Sequence, residues 1–149
     1  FAFEQERQIE QYYQELAEMA SVRAIRELLI LLAQAKHAHA LAIEQLSKDL
    51  TPSLKKSQVL SRGSDLVRKF ARTPFYNRED LPHLELYEGA CEVELQTEQF
   101  YIKQALLTDI PIRKKLFNEL SREVHQHYVL LDSLCHALTK MEEPEPMFA

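Results

Sequence analysis

The stretch Glu94-Leu-Gln-Thr-Glu-Gln-Phe-Tyr101, with His125-Gln-His127 downstream of it, sets the pattern for the whole chain. A closely similar arrangement occurs earlier, as Glu6-Arg-Gln-Ile-Glu-Gln-Tyr-Tyr13 with His37-Ala-His39 after it. The two copies align without a gap, which indicates a duplicated structural unit. The matched pairs are Glu6 with Glu94, Glu10 with Glu98, Tyr13 with Tyr101, His37 with His125, and His39 with His127.

The composition favours an all-α fold. The chain has 149 residues, enough for a single domain with a substantial core. Only two residues are glycine and 46% are hydrophobic, so the chain lacks the breakers that a many-turned β protein requires. Apolar residues recur at steps of three and four along most of the chain, which is typical of amphipathic helices.

Charge and hydropathy exclude several classes of partner. The net charge of -5 and the pI near 5.7 argue against nucleic-acid binding, which depends on neutralising phosphates. No apolar run approaches the length of a membrane span, and the N-terminus lacks a basic then apolar signal pattern, so we expect a soluble cytoplasmic protein without a membrane partner.

Cys91 and Cys135 are isolated, which excludes a zinc knuckle or a rubredoxin-type iron site and favours a reducing compartment.

We predict a four-helix bundle made of two helical hairpins. The hairpins cover residues 1–50 and 81–140, with a crossover connection at 51–80 and a frayed acidic tail at 141–149. A helix of about 27 residues is about 40 Å long, so a connection of about 30 residues can carry the chain back along the bundle. A simple turn between neighbouring helices would need far fewer residues.

Local signals place the helix ends and one further helix. The predicted N-caps after the first helix are Ser21, Asp80 and Asp109, and the second helix is expected to end near Leu50. Within the crossover, a short amphipathic helix is predicted to cover the bundle through Val59, Leu60, Leu66, Val67 and Phe70. The basic residues of the crossover form either a solvated surface or a docking patch for a partner. They are Lys55, Lys56, Arg62, Arg68, Lys69 and Arg72.

The repeated polar residues are predicted to meet inside the bundle. In an antiparallel hairpin Glu6 lies at the height of His39, and in the second hairpin Glu94 lies at the height of His127. Helical spacing places these side chains on the inner face, together with a tyrosine of each first helix. Tyr13 and Tyr101 are expected to be core aromatic residues that hydrogen-bond a buried carboxylate. His37 and His125, two residues before the inner histidines, point away and are expected to be exposed.

This pattern of Glu, Tyr and inward His, repeated on two hairpins, resembles the rubrerythrin-like branch of the ferritin-like superfamily. In that superfamily two helices each supply a Glu and the other two each supply Glu-x-x-His, and together these hold two irons. The resemblance implies the metal ligands Glu6, His39, Glu94 and His127. Glu10 and Glu98, one helical turn along from Glu6 and Glu94, are further candidates.

The chain departs from the family pattern at the two bridging positions. Lys36 and Val124 stand where the Glu of each Glu-x-x-His should be. Buried carboxylates need compensation, since an isolated buried charge loses several kcal/mol of hydration. One alternative is that the site retains a metal, which would be one or two iron ions, or manganese or zinc. The other is the Lys36 ammonium, helped by a protonated His39 or His127, with no cofactor.

These alternatives lead to different functions. The resemblance implies an iron-dependent oxidoreductase of the peroxidase or ferroxidase type, supplied by an external electron donor and assembled as a homodimer. The competing hypothesis is a metal-free helical bundle that serves as a binding or assembly module. A third hypothesis is a regulator in which metal binding alters association through the basic crossover.

Overall fold

The computed structural model describes residues 1–72 and 78–142, and these residues are arranged as an all-α fold, as predicted. The helices are α1 (Ala2–Met19), α2 (Arg23–Ser47), α3 (Val59–Ala71), α4 (Leu84–Leu107) and α5 (Pro111–Met141). A 3-10 turn, Leu81–His83, leads into α4. No β-strand occurs within the described ranges.

Four of the helices form a bundle of two hairpins. The helix α1 packs along α2, and α4 packs along α5, each pair being joined by a short turn. The crossover contains α3, which packs on α2 and α5. The predicted bundle of two hairpins with a long crossover is therefore confirmed.

The crossover helix α3 covers the bundle with one face. Val59, Gly63, Val67 and Phe70 are buried, at the spacing of three and four that defines one side of a helix. Leu60 was predicted to join this face but is exposed, because it lies one residue, about 100°, further round the helix. The six basic residues of the crossover are all exposed to solvent.

Asp80 ties the end of the crossover to the first hairpin. Its carboxylate accepts hydrogen bonds from the backbone N–H groups of Ser21, at 2.9 Å, and Val22, at 2.8 Å. The N-cap of α2 is Val22, so the prediction that Ser21 caps this helix was wrong. Asp80 was expected to start the third helix; it is instead the N-cap residue of the 3-10 turn, and α4 begins only at Leu84.

Two further helix ends differ from the prediction. The N-cap of α5 is Ile110 rather than Asp109, and Pro111 occupies the first turn, where its missing N–H costs nothing. The helix α2 ends before Leu50 because Asp49 adopts a left-handed conformation with φ 58°.

Part of the predicted tail belongs to the bundle. Met141, the last residue of α5, is fully buried. The rest of the tail, from residue 143, and residues 73–77 of the crossover lie outside the described residues. None of the helices in the described ranges is long and apolar enough to cross a membrane.

The two glycines allow a matched test of the packing of α3. A Cβ added at Gly63 would lie 2.6 Å from Leu130 Cδ1 and 3.2 Å from Leu28 Cδ1, whereas one at Gly89 would meet nothing within 4 Å. Gly89→Ala should raise the free energy of unfolding by about 0.5–1 kcal/mol, because alanine favours the helix. Gly63→Ala should be less stable than Gly89→Ala by about 1–3 kcal/mol, because it overpacks the core. Urea unfolding of both variants measures the difference, and equal stabilities would contradict the packing of α3.

Candidate functional site

The four polar residues predicted to meet lie together in the core. Glu6, His39, Glu94 and His127 come from α1, α2, α4 and α5, and none is more than 1% exposed. The rings of His39 and His127 stack with their centroids 5.5 Å apart and their planes 6° from parallel. We call these four residues, together with Lys36, the buried cluster.

Each carboxylate of the buried cluster is held by a tyrosine from the opposite hairpin. The Tyr13 hydroxyl donates to Glu94 Oε1 at 2.6 Å, and the Tyr101 hydroxyl donates to Glu6 Oε1 at 2.5 Å. Burial, and then the nearby carboxylate, raises the pKa of both tyrosines, so they remain donors. We expected each tyrosine to hydrogen-bond a buried carboxylate. The sequence did not predict that the tyrosine and the carboxylate would belong to different hairpins.

Lys36 lies at the centre of the buried cluster and is completely buried. Its Nζ is 3.0 Å from Glu94 Oε1 and 3.1 Å from Glu94 Oε2, so one ammonium binds both oxygens. Burial lowers the pKa of Lys36, but Glu6 and Glu94 outweigh burial and raise the pKa above its usual value. Burial raises the pKa of Glu94, but Lys36, His127 and Tyr13 more than offset this effect and lower it to about 2. Lys36 of α2 therefore pairs across the bundle with Glu94 of α4.

The pKa values of the two inner histidines are shifted in opposite directions. His39 Nδ1 lies 3.5 Å from Glu6 Oε2, and Nε2 lies 3.6 Å from Glu123 Oε2. Burial lowers the pKa of His39, but these two carboxylates raise it above its ordinary value. Burial and the Lys36 ammonium lower the pKa of His127, although Nδ1 lies 3.5 Å from Glu94. His39, not His127, is the histidine that the site favours in its charged form.

Glu123 is a residue of the site that the sequence analysis did not select. Burial raises the pKa of Glu123, but interactions with His39 and Ser57 lower it. A cavity of about 420 Å³, lined by Glu123, His39 and Ser57, opens beside the crossover. Glu123 precedes His127 by four residues, which places the two side chains on the same side of α5, and this spacing could have identified it.

Glu10 and Glu98 are not brought to the buried cluster. Glu10 pairs with Arg7 at 2.9 Å and with His37 at 3.3 Å, while Glu98 pairs with His125 at 3.1 Å. Both histidines are about half exposed, in agreement with the prediction for them. A residue four positions along a helix is rotated by about 40°, and this rotation turns both carboxylates toward the outer histidines.

The residues present do not fit a two-metal centre. One bridging position is filled by the Lys36 ammonium, and the other by Val124, which is buried in an apolar cluster with Leu116, Leu120 and Tyr101. Within the described ranges, no group of three or more His, Cys, Asp or Glu side chains is arranged to hold a metal ion. Five buried atoms of the cluster nevertheless lack a hydrogen-bond partner: Glu6 Oε2 and both ring nitrogens of His39 and His127.

Removing the Lys36 charge tests the ion pair directly. Lys36→Met keeps a long side chain but leaves Glu94 without its cation, and should lower the free energy of unfolding by about 3–5 kcal/mol. The exposed control Lys69→Met should change it by no more than about 0.5 kcal/mol. Adding Glu94→Gln to Lys36→Met should cost less than the sum of the single changes, because the two residues interact. Chemical denaturation of wild type, the three single variants and the double variant measures these differences, and unchanged stability of Lys36→Met would refute the pairing.

Comparison with known proteins supports the family suggested by the repeat. A family model described as Rubrerythrin matches residues 1–135, which include both hairpins and the crossover. No curated protein and no solved structure gave a match. The chain therefore belongs to the rubrerythrin family, a ferritin-like family of metal-binding proteins.

Proposed function

We propose that this protein is a rubrerythrin-family bundle in which the Lys36 ammonium replaces the metal charge, and that it acts as a binding or assembly module. The observation that carries the proposal is the contact of Lys36 Nζ with both oxygens of Glu94, at 3.0 and 3.1 Å. An ammonium there uses the lone pairs that a metal would need. It would also repel a dication about 4 Å away by about 8 kcal/mol at an effective dielectric constant of 20.

The charges of the buried cluster support this proposal. Glu6 and Glu94 supply two negative charges, and the pKa of each is lowered despite burial. Lys36 supplies one positive charge, and the raised pKa of His39 favours a second. Lys36 and His39 therefore offset the charges of Glu6 and Glu94 from within the chain, which reduces the electrostatic need for a metal.

Exposed apolar side chains support an assembly role. Leu106 is 75% exposed and Leu107 is 69% exposed at the end of α4, and Ile110 and Ile112 nearby are also exposed. Clusters of this kind on a protein surface commonly contact a partner. The homodimer implied by the family resemblance is part of this proposal.

A second candidate function is the inherited one, iron binding with reduction of oxygen or peroxide. The unpartnered atoms of Glu6, His39 and His127 favour it, because a cation could satisfy buried lone pairs that have no donor. Such an ion would require Lys36 to withdraw from Glu94. Electrons would come from an external donor, since the sequence contains no rubredoxin-type cysteine motif.

Restoring the two bridging carboxylates separates the candidate functions. Protein purified without chelator is loaded anaerobically with ferrous iron, desalted and analysed for metal. Wild type should retain only substoichiometric iron, whereas Lys36→Glu combined with Val124→Glu should retain iron, because it recreates the ligand set of the family. A matched control makes the same changes at exposed positions, Lys69→Glu with Val129→Glu, and should behave as wild type.

Stoichiometric iron in wild type would reject the proposed metal-free module and support the inherited function. If His127→Ala then abolished iron binding while His125→Ala left it intact, the ion would be located in the buried cluster. Iron retained equally by the control double variant would instead indicate nonspecific binding by added carboxylates.

The opposite pKa shifts of the two inner histidines predict opposite pH dependence. The raised pKa of His39 contributes stability that is complete below its unfolded value of about 6.5 and is lost as pH rises through the folded value. The lowered pKa of His127 works in the opposite sense, so stability falls as pH drops below about 6.5.

Variants of each histidine isolate these contributions. His39→Asn should flatten the loss of stability above neutral pH, and His127→Asn should flatten the loss on the acid side. The measurement is the free energy of unfolding against pH, compared with wild type. Equal effects of the two variants at every pH would contradict the charge assignment.

A further inference from the structure

Cys91 and Cys135, isolated in the sequence, meet between α4 and α5. Their sulfur atoms are 3.9 Å apart, and both are free thiols. A disulfide requires a separation of about 2.05 Å, so the sulfurs must approach by about 2 Å. Side-chain rotation on two packed helices can provide a movement of this size.

The two thiols differ in access. Cys91 is partly exposed, whereas Cys135 is only 8% exposed. A cavity of about 460 Å³ opens at the surface beside both residues. A small molecule that enters this cavity therefore meets the more exposed Cys91, whose sulfur lies 3.9 Å from that of Cys135.

The chemistry of the two thiols is also unequal. The hydrogen bond with Cys135 lowers the pKa of Cys91, although burial and nearby acids oppose this effect. The same hydrogen bond, with burial, raises the pKa of Cys135. Cys91 is therefore the better nucleophile as a thiolate, and Cys135 stays protonated next to it.

We propose that Cys91 and Cys135 form a reversible dithiol and disulfide pair, a redox-active site separate from the buried cluster and oxidised by a small neutral hydroperoxide. The cavity is bordered by Glu88, Glu92 and Asp132, whose negative charges disfavour anionic oxidants such as glutathione disulfide. A neutral hydroperoxide meets no such repulsion and is small enough for the cavity.

The proposed reaction consumes one hydroperoxide for each pair of thiols, and its atoms and electrons balance. The Cys91 thiolate attacks the outer oxygen, so an S–O bond forms, the O–O bond breaks and the departing oxygen takes a proton from solvent. The Cys135 sulfur then attacks the Cys91 sulfur, the S–S bond forms and water leaves with the Cys135 proton. The two thiols are oxidised by two electrons in total, and the peroxide is reduced by two. A dithiol reductant reverses the reaction by thiol exchange.

The test uses the reduced full chain, with a metal chelator present so that iron-dependent peroxide reduction cannot contribute. One equivalent of hydrogen peroxide is added, and free thiols and intact mass are measured without reductant. We expect both thiols to disappear, the mass of the single chain to fall by two hydrogen atoms, and dithiothreitol to restore the thiols. Oxidation by glutathione disulfide at the same concentration should be at least about tenfold slower.

Conservative variants assign the two roles. Cys135→Ser should stop at a sulfenic acid on Cys91, which dimedone traps, and Cys91→Ser should slow thiol loss by about tenfold or more. Retention of both thiols in wild type, disulfides formed only between chains, or faster oxidation of Cys91→Ser than of Cys135→Ser would overturn the proposal. These readouts do not depend on whether the buried cluster binds metal.

Discussion

The ion pair between Lys36 and Glu94 is the interaction on which the polar core depends. A charge moved from water into a protein core loses several kcal/mol of hydration even after relaxation, and this bundle buries more than one carboxylate. The Lys36 ammonium binds both oxygens of Glu94 and also lies in the field of Glu6. Without it, Glu6 and Glu94 would have only the two inner histidines to offset their charges. The pairing therefore determines both the stability of the core and the room left for a metal.

Hydrogen bonds between the two duplicated hairpins cross this polar core. Tyr13 of the first hairpin donates to Glu94 of the second, and Tyr101 of the second donates to Glu6 of the first. This arrangement keeps the twofold relation of the repeat. Lys36 and Val124 break that relation, since one copy has a cation and the other an apolar residue at equivalent positions. The repeat is thus symmetric in its tyrosine–carboxylate hydrogen bonds and asymmetric at the two positions that correspond to the family's bridging carboxylates.

Residues of two different sites lie on different sides of α4. Glu94 faces the core and pairs with Lys36, whereas Cys91, one turn earlier, faces Cys135 near the surface. The cysteines lie on the same two helices as Glu94 and His127 but form a contact of their own, with the sulfur atoms 3.9 Å apart. A redox site at this position can work whether or not a metal is present, which makes the two proposals separable.

Much of the architecture could be predicted from the sequence. Helical periodicity and few glycines indicated an all-α fold, and the gapless repeat with a long connection indicated two hairpins and a crossover. The inward orientation of four side chains could also be predicted, because a regular helix has 3.6 residues per turn. These residues are Glu6, His39, Glu94 and His127. The helix starts could not be predicted as well: Ser21 was expected to cap α2, but the N-cap residue is Val22, and the backbone before α2 is held by Asp80, which is distant in the sequence.

By itself, the sequence determined the fold class, the duplication and the replacement of the bridging carboxylates at Lys36 and Val124. Only the tertiary structure decided which groups pair across the bundle: Lys36 with Glu94, each tyrosine with the opposite carboxylate, and Cys91 with Cys135. The physical reason is that helix periodicity sets the direction of a side chain from its own helix. Distances between side chains on different helices depend instead on how the two hairpins pack together, and local sequence patterns do not predict that packing.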